Sequence, residues 1–249
     1  MIRYRGWYAT GAVLAGYTAL YLLGRRSGST AAERRAVLPG DDLVVCPTLT
    51  TDHAITIDAP PDVVWPWLTQ MGWHLGGYYT PRWVDRLLFR QNWSSLDHLD
   101  PALTRNLAAG DVIPDGPPGT AWFEVSGVAA PHVLVLHSTT HLPTAWAERF
   151  GAAIDWTWAF QVTPVAPRGA RLHLRVRGRM NPWWLTAGYH AALVPADLVM
   201  AVGMLRGIKQ RAEAGSPLRA SGRPPLSAPE CYRRQAAVRG SGACATGSS

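Results

Sequence analysis

Between Glu124 and His141 stand four side chains of the types that proton transfer, nucleophilic attack or metal binding use: Glu124, His137, Ser138 and His141. The two histidines are four residues apart, a spacing that shares a face on a helix but not on a strand. Here they straddle the end of an apolar strand, so no metal is expected. There is no HExxH pair, carboxylate cluster or Gly-rich phosphate loop. Ser138 lacks the glycine elbow that presents a nucleophilic serine. Glu124 and His137 remain as candidates for general acid/base work, because burial in an apolar pocket raises a carboxyl pKa and lowers an imidazole one. The alternation of Ala121–Val128 pairs Glu124 with Trp122 on one face and Phe123 with Val125 on the other, which leaves open that Glu124 points to solvent. No cofactor is expected.

The elements that must position these residues follow from hydrophobic period. His53–Ala59 alternates as a strand, and Pro60, Pro61 and Asp62 open a helix that Gly72 ends. A short helix is predicted over Pro81–Phe89, then loops as far as Gly110. Strands are predicted over Ala121–Val128, His132–Ser138, Ile154–Val162 and Arg171–Arg179. The last alternates arginines and His173 against Leu172, Leu174 and Val176, which reads as a solvated outer face over an inward apolar one. A helical turn or two over Pro182–Leu193 leads to a long helix from Pro195 to about Gly215, with Leu198, Val202, Leu205 and Ile208 on one face. The economical packing is α+β, a curved antiparallel sheet around the final helix.

Ahead of this body, Gly6–Gly24 is an uncharged run close to the ~20 residues that cross a bilayer as a helix. Arg25 and Arg26 follow it where a signal peptide would show small residues, so residues 1–26 are expected to be a retained single-pass anchor. The arginines after the span outnumber those before it, which favours a cytoplasmic body at the cell membrane. Residues 27–50 read as a linker, 51–215 as the folded domain, and 216–249 as a disordered basic tail.

The chain has 249 residues and a net charge of +7, almost all from arginine, since Lys209 is the only lysine. Those arginines are divided between the tails and one strand, which argues against a nucleic-acid footprint. Cys46, Cys231 and Cys244 form neither a disulfide framework nor a CxxC motif. Tryptophan is abundant, with 12 copies, and that many large rings suggest the walls of a pocket.

Five segments, in order, carry a family resemblance: AITIDAPPDVVWPWLTQMG from Ala54, GGYYTPRWVDRLL from Gly76, LAAGDVI from Leu107, WAFQVTP from Trp158 and GMLRGIKQRAE from Gly203. Together they resemble a bacterial, membrane-anchored branch of the SRPBCC, or START-like (polyketide cyclase/dehydrase and lipid transport), superfamily. The resemblance covers roughly Thr51–Ala214 and implies a helix-grip fold with an apolar cavity between sheet and final helix. It brings no shared catalytic motif. Arg82 before Trp83 departs from an acidic residue common in relatives. On this reading the cavity is expected to be lined by Trp67, Trp73, Tyr78, Tyr79, Trp83, Trp122, Trp156, Trp158 and Phe160, with Leu198, Val202 and Leu205 opposite. Three functions fit: a membrane-anchored carrier or sensor of an apolar lipid, polyketide or similar molecule; a cyclase-, aromatase- or hydrolase-like enzyme; and a structural protein with a vestigial pocket. Ligand identity and protein partners are not legible.

Overall fold

The structure is a computed structural model that describes residues 2–88 and 90–215. Phe89 and the stretch 216–249, expected as a disordered tail, lie outside the described residues. In chain order the elements are helices α1 (Ile2–Arg26) and α2 (Ala31–Arg35), strand β1 (Leu49–Ile57), helices α3 (Pro61–Thr69) and α4 (Arg82–Leu88), then strands β2 (Val112–Pro114), β3 (Trp122–Ala129) and β4 (Val133–Ser138). Helix α5 (Thr144–Phe150), the long strands β5 (Ala153–Val165) and β6 (Gly169–Asn181), helix α6 (Trp183–Gly188), a π-helical turn (Tyr189–Leu193) and helix α7 (Val194–Glu213) complete the chain.

All six strands form one antiparallel sheet in the order β1-β6-β5-β4-β3-β2. Because successive side chains alternate, register fixes the two faces. Leu136 stands opposite Trp158, Trp158 opposite Val176, and Phe160 opposite Leu174. These residues form the concave face, with α3 and α7 packed over it through Val64, Trp67, Leu68, Ala201, Met204, Leu205 and Ile208. α3 begins at a proline pair, with Pro61 in its first turn. α7 reaches the chain at Tyr79 through Gly207, where any β-carbon would collide with the Tyr79 carbonyl oxygen.

The convex face differs from the solvated surface expected for it. Arg175 is almost wholly buried. It donates to Asp52 (2.8 Å), to Asp41 (2.8 Å) and to the carbonyl oxygens of Glu33, Arg34 and Ala36. Arg171 holds both carboxylate oxygens of Glu33 at 2.7 and 3.0 Å. The stretch 27–50, expected as a linker, is therefore a strap across the outer sheet. Its own Leu38 and Val44 are buried, and α2 is fixed by a capping box between Thr30 and Glu33. The physical reason is the planar guanidinium, whose five N–H groups are all matched by a segment that returns carboxylates and carbonyls to them.

α1 is a continuous helix, and its second half lies on the body. Tyr17 donates to the Ala191 carbonyl oxygen (2.8 Å), Tyr21 meets His190 Nδ1 (2.8 Å), and Arg25 donates to Thr50 (3.1 Å). Gly24 crosses so close to Val194 that a β-carbon there would strike its carbonyl oxygen. By length and composition, the helix among the described residues that is apolar enough to cross a membrane is the C-terminal run Trp183–Glu213, not α1. A third of the apolar window of that run is buried in the body, where α7 covers the sheet.

Candidate functional site

A cavity of about 220 Å³ lies between the concave sheet and the first half of α7. Strands β1, β5 and β6 bring Leu49, Thr51, Trp156, Trp158, Leu174 and Val176 to its wall by their alternation. Helix α7 contributes Val194, Asp197, Ala201 and Met204, spaced by three or four so that they share one face. Ala196 and Met200 of the same helix, Tyr189 and Leu193 of the π-helical turn, and Tyr78, Thr80 and Asp115 from loops complete it.

The aromatic wall is built edge to face. Tyr78 meets Trp158 at 6.2 Å and 79°, and Trp156 meets Tyr189 at 6.0 Å and 81°. Trp158 also packs on Phe123 at 4.9 Å. The Tyr78 hydroxyl is taken up by the Pro114 carbonyl oxygen at 2.9 Å, so this residue presents its ring to the cavity. Burial pushes the Tyr189 hydroxyl pKa up, which keeps it a neutral phenol. The indole Nε1 atoms of Trp156 and Trp158 are sealed from solvent and meet no acceptor among the described residues.

Two carboxylates interrupt the apolar wall, each paired with a histidine. Asp197 accepts from Thr51 Oγ1 (3.3 Å) and lies 3.2 Å from Nε2 of the fully buried His53. Asp115 lies 2.7 Å from Nε2 of His141, whose Nδ1 is 2.8 Å from Ser138 Oγ. That serine–histidine–aspartate chain is not a nucleophile arrangement. Ser138 donates its only proton to the Trp122 carbonyl oxygen at 2.6 Å, is buried, and is absent from the cavity wall.

Of the residues expected at the cavity, Tyr78, Trp156 and Trp158 line it. Trp67, Tyr79, Phe160 and Leu205 are buried in the core behind it, with Trp67 and Tyr79 edge to face at 5.5 Å. Burial pushes the Tyr79 hydroxyl pKa upward, and its proton goes to the Trp67 carbonyl oxygen. Trp73 is buried beside Pro114, to whose carbonyl oxygen its backbone N–H donates. Trp122 is buried on the Glu124 face of β3, away from the cavity. Trp83 is exposed on α4 and borders a separate outer groove with Leu198 and Val202. Those two belong to the side of α7 away from the cavity, because the helix is turned about one residue from the expected face.

The expected acid/base candidates are on the convex side. Glu124 stands directly across from His137 in the β3–β4 register and is exposed, and His137 bonds Asp155 at 2.7 Å. Sequence reading missed Asp115 and Asp197 as cavity groups, and the pairing of each with a histidine, His141 and His53. Residues 115 and 141 come together only through the fold, so no spacing announces them. Among the described residues, no group of three or more His, Cys, Asp or Glu side chains is placed to hold a metal ion.

No family model and no curated protein matches the chain. Solved structures similar to it include a protein from Mesorhizobium loti, at 15% identity over 68% of this chain and 100% of that one, with a TM-score of 0.39. A conserved protein from Geobacillus kaustophilus is similar at 12% identity over 67% and 97% of the two chains, TM-score 0.39. The di-domain ARO/CYC StfQ from the steffimycin biosynthetic pathway is similar at 15% identity over 68% of this chain and 52% of that one, TM-score 0.38. The architecture seen here, a curved antiparallel sheet closed around a long C-terminal helix, is the helix-grip arrangement expected from the sequence.

Proposed function

We propose that this protein holds a compact, mostly apolar molecule bearing a hydrogen-bond donor, as a carrier or sensor, and that α1, less apolar than Trp183–Glu213 but uncharged from Gly6 to Gly24, tethers it to a membrane with the body on the cytoplasmic side. The observation that carries the ligand reading is the cavity wall itself, aromatic and aliphatic except for Thr51, Thr80 and the two carboxylates Asp115 and Asp197. Its volume of about 220 Å³ falls below the ~300–1,000 Å³ of typical ligand pockets, which favours a fused-ring or similarly small molecule over a long acyl chain. A carboxylate on such a wall rewards a ligand hydroxyl or amine, and a hydrogen bond to a charged group contributes about 1.5–3 kcal/mol.

Titration of the full-length, detergent-purified chain with 2-naphthol and with its near-isostere 2-methylnaphthalene, read by tryptophan emission, tests this. Naphthol should bind roughly tenfold or more tightly, from the strength of that one bond. Equal affinity, or no binding of either, would count against the reading.

One observation favours a second reading, proton transfer on the bound molecule. The Asp115–His141 pair puts a carboxylate on the cavity wall with an imidazole behind it at 2.7 Å. On that reading Asp115→Asn should lower turnover by ~10²-fold or more, while Glu124→Gln leaves it unchanged.

A further inference from the structure

Large rings left in solvent gather at one end of the body. Trp183 on α6 is 79% exposed, and Trp184, Trp146, Phe150 and Leu193 are exposed as well. Trp146 and Phe150 of α5 each meet Trp184 edge-on at 5.9 Å, so the rings form one patch rather than scattered surface residues. α1 leaves the body at the same end. Tyr17 sits against Ala191, Gly24 against Val194, and Leu23 and Ser27 beside Leu198. α1 therefore runs alongside the π-helical turn and α7 in the same direction, and its N-terminal half is on the α6 side. There Val13 and Leu14 are exposed, and a β-carbon added at Gly11 or Gly16 would meet nothing within 4 Å.

We infer that this patch is a membrane-dipping rim: α5, α6 and the π-helical turn sit in the headgroup–acyl boundary of a bilayer beside α1. The inference rests on the proposed anchoring by α1. The patch continues the apolar surface of that helix, and its rings are of the kind that favour the boundary over either bulk phase. Arg149 lies 5.2 Å over the Phe150 ring, where its guanidinium can reach lipid phosphates while its stem stays on the ring. Charge adds little, since Glu148 stands next to Arg149, so zwitterionic lipid suffices. Leu193 is at once exposed and on the cavity wall, which brings the cavity to the surface beside the rim. An apolar ligand then passes between bilayer and cavity without crossing water.

The test uses the full-length chain with Cys46, Cys231 and Cys244 replaced by serine and Trp183→Cys carrying an environment-sensitive fluorophore. It is reconstituted in phosphatidylcholine vesicles containing nitroxide-labelled phosphatidylcholine. A matched chain carries the fluorophore at Glu124→Cys on the convex face. The inference expects the 183 probe to shift to the blue and lose emission to the nitroxide, with neither change at 124. A chain that floats with the vesicles while both probes stay unquenched overturns the rim and leaves the anchor standing. A chain that does not float overturns the anchor, and the rim with it.

Discussion

Asp197, in the first turn of α7, lies 3.2 Å from Nε2 of His53, the central residue of β1, and so joins the gripping helix to the edge strand along the cavity wall. The contact is both structural and exposed to whatever fills the cavity. Asp197→Asn keeps the shape and an acceptor but removes the charge. It should cost less than about 2 kcal/mol of stability while weakening naphthol by several-fold, since a charged acceptor gives way to a neutral one. Denaturant midpoints and the naphthol titration separate the two effects; unchanged affinity would leave Asp197 with a purely structural role.

The buried guanidinium of Arg175 is the fastening of the strap. Arg175→Ala removes the buried cation from Asp52, Asp41 and three carbonyl groups, and should destabilise by on the order of 3–5 kcal/mol. Arg179→Ala, four positions along the same strand but exposed, should stay within about 0.5 kcal/mol. Urea unfolding of the two variants checks the contrast, and equal losses would contradict it.

The same strap is sensitive to acid. The Arg171 guanidinium bonded to Glu33 holds that carboxyl down at about 2, below its ordinary value of 4.5. A depressed folded-state pKa means that the stabilisation is complete above 4.5 and is lost as pH falls from there towards 2. Glu33→Gln should flatten the stability–pH curve over that window and change little at pH 7 relative to pH 6. An unaltered acid limb would show that other groups set it.

Much of the framework was legible in the residues. Period-two alternation located the strands that became β1 and β3 to β6, and put Trp156, Trp158, Leu172, Leu174 and Val176 on one side correctly. Alternation reports which side a residue takes, not what covers that side. The arginine row from Arg171 to Arg179 therefore looked solvated, although Glu33, Asp41 and Asp52 return to it from upstream. On α7 the apolar residues go almost all round, so period could not separate the face with Val194, Asp197, Ala201 and Met204 from the one with Leu198 and Val202. β2 and α5, three and seven residues long, were too short to leave a period.

The crossing of α1 over the body turns on Gly24. Gly24→Val should dislodge the second half of α1 and lower the melting temperature, because its β-carbon has no room against Val194. Gly11→Val has open space and should not lower it. Equal melting temperatures for the two would mean that the packing of α1 contributes nothing to the fold.

The central claim is that the cavity beneath α7 is occupied by a small molecule, and native mass spectrometry of the full-length chain released gently from its host membrane tests it most directly. Beside the wild type, Ala201→Phe fills the cavity from a buried position on its wall. The account predicts a discrete small-molecule adduct on the wild type that is absent from the filled variant, with lipid adducts common to both. Identical adduct patterns on the two chains, or a wild type that carries nothing but bulk lipid, would contradict it.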